Sequence, residues 1–352
     1  MSELDAKTNL SRRRFLERGA HAAGVLGVSG AASVLSGATA RAAAGQPGNP
    51  FAYDLGGLTQ TDPKLIQYEE VGRFRSPRAE ARRIAFGPDG RLYLAAGNYV
   101  SVLDDTGALV SEIALSGPAR CAAVAKDGSV YVSLRDHVEV FDTRGQRRAV
   151  WDAPGKRTWF SGLAVGENDV YAADAGSRVL VRYDRSGKLA GRIGEKNPAR
   201  HIPGFVIPSP YFDVEVHRDG LLRVTNPGRH RVEAYTVEGD LELSWGRASA
   251  AIDGFCGCCN PVNLAVLPAG GIVTCEKGLP RVKVYSVDGR FESVVAGTEA
   301  FPENARAGAS KDVSDGVANG LDAAVDARGR VYILDMMTAE IRIMTAKAGQ
   351  AG

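Results

Sequence analysis

The chain has 352 residues, of which 44% are apolar and 24% charged, and a formal net charge of +2. This is ordinary globular composition with enough chain to bury a large core; it gives nucleic-acid binding no electrostatic footing and a membrane-surface role little. The 42 glycines and 16 prolines point to many turns, and all-β folds of this length often form one unit.

Residues 11–16 read Ser-Arg-Arg-Arg-Phe-Leu, followed by a weakly apolar, Ala- and Gly-rich run from Gly19 to Ala38. Small-residue cleavage patterns follow at Ala38-Thr39-Ala40 and Ala40-Arg41-Ala42. Ser11, Arg12, Arg13, Phe15 and Leu16 resemble the twin-arginine export signal. Its implication is a signal peptide over 1–42, transport of a folded protein, and a periplasmic or extracellular mature chain with no membrane association after cleavage. Residues 43–63 read as a polar linker.

From residue 64 to 349 one pattern recurs six times. An apolar strand, a tight turn and a second strand read IAFGPDGRLYLA from Ile84, AAVAKDGSVYVS from Ala122 and LAVGENDVYAA from Leu163. They continue as VEVHRDGLLRVT from Val214, LAVLPAGGIVTC from Leu264 and AAVDARGRVYIL from Ala323. Each is followed by a loop, a third strand such as VEVFDTRG or VKVYSVDG, and another turn signal. Alternating β-branched and aromatic residues between Asp-Gly turns are hairpin signals. Six such units predict an all-β six-bladed propeller, in which radial repetition leaves few exposed edges. The sixth unit stops after its third strand. The segment Leu65–Phe74 precedes the first unit and is expected to supply the missing outer strand, closing the ring.

The stretch VYAADAGSRVLVRYDRSGKL, from Val170 to Leu189, is the nearest copy of the pattern that marks NHL repeats, and residues 65–347 as a whole resemble that family. The resemblance implies the propeller fold; the family includes binding scaffolds as well as lyases. One enzyme branch, the peptidyl-amidoglycolate lyases, holds a metal with several channel histidines. Here His137, His201, His217 and His230 do not recur at one repeat position, so that branch is not expected.

The strongest chemical signal is Cys256-Gly257-Cys258-Cys259 in the connection between the fourth and fifth blades, together with Cys275 at the end of the second strand of blade 5. Hairpin register sets Asn263 opposite Cys275, four residues after Cys259. All four thiols are therefore expected on one propeller face beside the channel mouth. Four thiolates suit an iron–sulfur cluster or tetrahedral Zn, and soft thiolates also suit Cu(I). The competing readings are disulfides that staple the loop to the blade and a reactive thiol pair. Cys121 takes the Asn263 position in blade 2 and is read as a small buried residue.

The repeat register also aligns Arg83, Gly162, Asp213, Asn263 and Asp322 at the mouth of the channel. Two positions later stand Ala85, Ala123, Ala164, Glu215, Ala265 and Ala324. Small residues fit the crowded axis, and Glu215 breaks the pattern. Arg83, Asp213, Glu215, Asn263 and Asp322 are candidates for a polar pocket beside the cysteines, or for charges that satisfy one another in the channel. The long inter-blade segment 297–320 is placed to cover the same face or dock a partner.

Two functions follow as expectations, ahead of a lyase or hydrolase with its site at the channel mouth, for which the sequence has no recognisable triad or histidine set. One is an exported metal- or cluster-binding propeller in electron transfer or metal handling, with a redox or other protein partner on the cysteine-bearing face. The other is a non-catalytic interaction scaffold with a disulfide-stapled loop. No catalytic residues are recognisable from the sequence.

Overall fold

A computed structural model describes residues 56–307 and 320–348. The expected signal segment 1–42 and the linker to residue 55 lie outside the described residues, as does 308–319 of the long loop. The first strand, β1 (Tyr68–Arg75), stands apart from the sheet that follows it in the chain.

Blade 1 comprises β2 (Ala81–Phe86), β3 (Leu92–Ala96), β4 (Tyr99–Leu103) and β5 (Leu109–Ala114); blade 2 comprises β6 (Cys121–Val124), β7 (Val130–Ser133), β8 (Val138–Phe141) and β9 (Arg147–Trp151). Blade 3 is β10 (Phe160–Val165), β11 (Asp169–Asp174), β12 (Val179–Asp184) and β13 (Leu189–Ile193). Blade 4 is β14 (Val214–Val216), β15 (Leu222–Asn226), β16 (Arg231–Tyr235) and β17 (Leu241–Trp245). Blade 5 is β18 (Asn263–Val266), β19 (Ile272–Cys275), β20 (Val282–Tyr285) and β21 (Phe291–Ala296). Blade 6 is β22 (Leu321–Val325), β23 (Val331–Asp335) and β24 (Glu340–Ala346), completed by β1. Among the described residues these make six four-stranded antiparallel sheets, a six-bladed β-propeller.

The ring closes as the repeat count requires. β1 pairs with β24 from Tyr68 opposite Ala346 to Arg75 opposite Glu340, with a bulge between Glu70 and Gly72. Ion pairs gather along this seam: Arg73 meets Glu70 on its own strand and Glu340 across it, and Arg342 meets Glu340 on its own strand and Glu70 across it, at 2.6–3.1 Å.

Burial follows strand position. The second strand of blade 1 is buried at every residue, whereas its outer strand is mostly exposed. Between neighbouring blades the apolar faces meet. Trp151 of blade 2, for instance, packs against Tyr131 at 5.4 Å and Tyr183 of blade 3 at 5.3 Å between ring centroids. The outer turns recur with the sequence signal: Asp104 Oδ1 accepts the backbone N–H groups of Thr106 and Ala108, and Asp184 Oδ1 those of Ser186 and Lys188. The glycine of such a turn locks one blade onto the previous one. Gly187 has φ +90°, and a Cβ there would lie 2.3 Å from the Trp151 indole. Gly289 stands in the same relation to Trp245.

Gly187→Ala combines a left-handed backbone position with overpacking of an indole. It is expected to cost roughly 2–4 kcal/mol, read as a lower denaturant midpoint at unchanged slope.

Candidate functional site

The inner strands set a ring of side chains at the axis, and Arg83 of β2 fills it. Its Nη2 donates to Asp213 Oδ1 at 2.6 Å, at the entry to β14. Its Nη1 donates to Asn263 Oδ1 of blade 5 at 2.6 Å and to the Ser161 carbonyl of blade 3 at 3.3 Å. Its Nε stands 3.2 Å from Asp322 Oδ1 of blade 6. The partners are tied in turn: Asp322 Oδ2 accepts the N–H of Ile84, Asp213 Oδ2 accepts that of Leu264, and Asn263 Nδ2 donates to the Leu321 carbonyl. Gly162 makes room, since a Cβ there would lie 2.7 Å from Asp213 Oδ1. One guanidinium thus joins five blades.

Arg83, Asp213 and Asp322 are buried. Burial disfavours the charge on Arg83, but Asp213 and Asp322 outweigh it and hold its pKa well above the ordinary value. Asp322 is pushed up to about 7 by burial, with Asp213 adding to the rise and Arg83 and the Ile84 N–H working against it. Cys121 lies in the same layer, and burial raises its thiol to about 12, in keeping with a small buried residue.

Beyond the plug the cavity continues for about 300 Å³ to the last residues of the inner strands. Ala85, Ala123, Ala164, Ala265 and Ala324 line it with Glu215. The structure thus places the two aligned layers as the register predicts, but Arg83, Asp213, Asn263 and Asp322 form a closed plug and Glu215 stands on its far side. Burial, then the nearby Asp213, raises Glu215 to about 8.

The cysteine loop is held by a second buried network. Lys283 Nζ donates to the Ile252 and Gly254 carbonyls at 3.0 and 2.6 Å and pairs with Glu276 Oε1 at 2.5 Å. Glu276 Oε2 accepts from Arg281 and from the Cys256 N–H. Burial lowers the Lys283 pKa to about 8 against the opposing pull of Glu276. Asn260 clamps the loop to the strand end: its Nδ2 donates to the Cys256 and Lys277 carbonyls, and its Oδ1 accepts the Lys277 N–H. His230 Nε2 donates to the Gly257 carbonyl at 2.6 Å.

This framework brings two thiols together and separates the others. Cys258 Sγ and Cys259 Sγ are 3.3 Å apart, Cys258 exposed and Cys259 buried. Cys256 is half-buried. Cys275 is fully buried, and the charges that act on it are Asp322, Arg83, Asp213 and Glu276; burial pushes its thiol well up. Among the described residues no three His, Cys, Asp or Glu side chains gather around a common point that would hold a metal ion. The Cys258–Cys259 pair is polarised. Burial opposes ionisation of Cys259, but Ser209, Lys277 and Cys258 outweigh it and lower its pKa, while the hydrogen bond to Cys259 raises that of Cys258. Lys277 Nζ lies 3.5 Å from Ser209 Oγ and 4.6 Å from the centre of the Tyr211 ring.

Solved structures share the fold. A streptogramin B lyase is 14% identical with a TM-score of 0.55, over 80% of this chain and 97% of the other. The selenomethionine-substituted virginiamycin B lyase from Staphylococcus aureus is 13% identical with a TM-score of 0.54, over 80% and 100%. A catalytically inactive virginiamycin B lyase from Staphylococcus aureus with quinupristin is 12% identical, TM-score 0.52, over 78% and 83%. At these identities the likeness is one of fold. No family model matches the sequence, and no curated protein matches it.

The sequence reading did not single out Ser209, Asn260 or Lys283. The only sequence signal for Asn260 is its place directly after the cysteine pair, before Pro261. Ser209 comes to the thiols from the blade 3–4 connection, fifty residues away in sequence, and no repeat register aligns it.

Two outcomes follow. Glu215 and Asp322, facing Arg83, Asp213 and Cys121, titrate higher in the folded than in the unfolded chain. The native state therefore holds protons that the unfolded state releases first, and the contribution of these two groups to stability falls as pH rises from about 4 to about 8. Glu215→Gln should match wild type in Tm near pH 4 and exceed it at pH 8.5 in thermal unfolding by circular dichroism; an offset independent of pH would contradict the titration. Lys283→Met leaves Glu276 and two carbonyls without their ammonium. It is expected to cost about 3–5 kcal/mol and to speed the reaction of Cys259 with an aromatic disulfide under native conditions.

Proposed function

We propose that the chain is an exported NHL-type propeller that captures a soft metal ion through Cys258 and Cys259, in the periplasmic handling of that metal. The observation that carries this reading is the pair of thiols 3.3 Å apart on a loop fixed by Lys283, Asn260 and His230. Two thiolates leave Zn and iron–sulfur clusters short of their usual four ligands. Cu(I) is soft and accepts low coordination, so it fits a two-thiolate site best. Two thiolates around Cu(I) carry a net negative charge, and Lys277 beside Cys259 offsets it. Cys258 at the surface gives the ion, or a donor protein, its way in. The twin-arginine motif at Ser11–Leu16 supports the compartment.

A dithiol–disulfide couple is the second reading, and the adjacency of the two cysteines favours it. Neighbouring Cα atoms are about 3.8 Å apart, short of the usual disulfide span, so a bond between them is strained and easily reduced.

The test is metal and acid-labile sulfide content of mature protein purified without oxygen and loaded with Cu(I) under competition from a chelator. One copper per chain without sulfide, lost in Cys258→Ser and Cys259→Ser and kept in Cys275→Ser, is expected. Iron with sulfide that disappears in Cys275→Ser would replace this reading with a four-thiolate cluster. Absence of metal with thiols that appear only after reduction would leave the disulfide couple or a stapled scaffold.

A further inference from the structure

The channel below the plug has no part in the thiol chemistry, yet it has the makings of a binding site. Its volume of about 300 Å³ far exceeds the roughly 10–15 Å³ that one water needs. Its lining joins the backbone of the inner strands to alanine methyl groups and a few larger aliphatic side chains, with one carboxyl among them, that of Glu215. No hydrogen bond to protein occupies that carboxyl, while each carboxylate of the plug is tied to Arg83 and to a backbone N–H.

Charge counting decides what the site takes. The plug sets one guanidinium against two carboxylates, both in ion pairs with it. Glu215, when ionised, adds a third negative charge with no second cation among the lining residues. A ligand that enters is therefore favoured if it is positive. Every inner strand is hydrogen-bonded to a neighbouring strand on one side only, so alternate carbonyls face the axis, and the plug takes those of Ser161 and Leu321. Ca²⁺ takes six to eight oxygen ligands, and among the described residues no three His, Cys, Asp or Glu side chains gather to hold a metal ion. An N–H-bearing cation needs less: one carboxylate, a few carbonyls and apolar walls for its carbon chain.

We propose that the axial channel binds a small protonated primary amine, its ammonium on Glu215 and the inner-strand carbonyls and its alkyl part against Ala85, Ala123, Ala164, Ala265 and Ala324. Quaternary ammonium ions are excluded from this site, because they have no N–H to donate and Phe86 is the only aromatic ring in the lining. The plug closes the channel toward the thiol face, so the amine enters from the face that carries the β2–β3 type hairpin turns.

The test is titration of the mature protein with n-propylammonium chloride at pH 8.5, followed by calorimetry and by Tm. Sodium chloride, tetramethylammonium chloride and 1-propanol at matched concentration are the controls. A saturable Tm rise and binding isotherm with propylammonium alone are expected. Affinity should fall by about tenfold or more in Glu215→Gln, the loss of one charge-assisted hydrogen bond. Ala324→Leu, which keeps the carboxyl and fills the channel, should also abolish binding and serves if the first variant fails to fold. Equal effects of sodium or propanol, or unchanged binding in a folded variant, would overturn the proposal. Because the thiols are not involved, Cys258→Ser should bind the amine as wild type does, whatever the outcome for copper.

Discussion

The whole ring turns on Arg83. A propeller buries its blades against one another but leaves an axis where six edge strands converge with unpaired backbone groups and no room for large side chains. Here one guanidinium spans that axis and takes acceptors from blades 3, 4, 5 and 6. A buried ion pair is poor evidence of net stabilisation, since desolvation costs several kcal/mol per ion. Its effect is selective: the network is satisfied only when all its blades stand in register, and any slipped or open ring leaves charges buried without partners.

Both candidate sites take their character from this plug. On one side, burial first and then Asp213, against the pull of Arg83, hold Glu215 toward its protonated form. On the other, Cys275 is buried where Asp322, Arg83 and Asp213 act on it, and burial above all keeps it a thiol. The loop is then organised by a separate network, in which Lys283 and Glu276 hold the backbone before and at Cys256 and Asn260 holds the backbone after it. The thiol pair is exposed at one sulfur and buried at the other because that backbone is fixed on both sides.

Much of the fold could be read from the repeats. The Asp-Gly turns and alternating strands set six blades, the unfinished sixth unit required β1, and hairpin register set Asn263 opposite Cys275, as observed. The alanine layer broken by Glu215 was equally visible. The fate of Cys275 was less so, although the reason lies in the same register. Residues paired across two antiparallel strands project from the same face of the sheet, so Cys275 follows Asn263 toward Arg83 rather than toward the loop. Proximity in the chain favoured four gathered thiols; side-chain direction divides them. The partners of the loop, Ser209 and Lys283, come from other connections and strands, and only packing brings them in.

The most direct test of this account is equilibrium unfolding of Arg83→Met, followed both by circular dichroism and by the native-state reactivity of Cys258 and Cys259. With two carboxylates stranded at the axis, the ring should lose about 3–5 kcal/mol, more at pH 8.5 than at pH 5, and the loop thiols should react faster. A variant with wild-type midpoint and wild-type thiol reactivity at both pH values would contradict the claim that one axial arginine holds the blades in register and the thiol face in place.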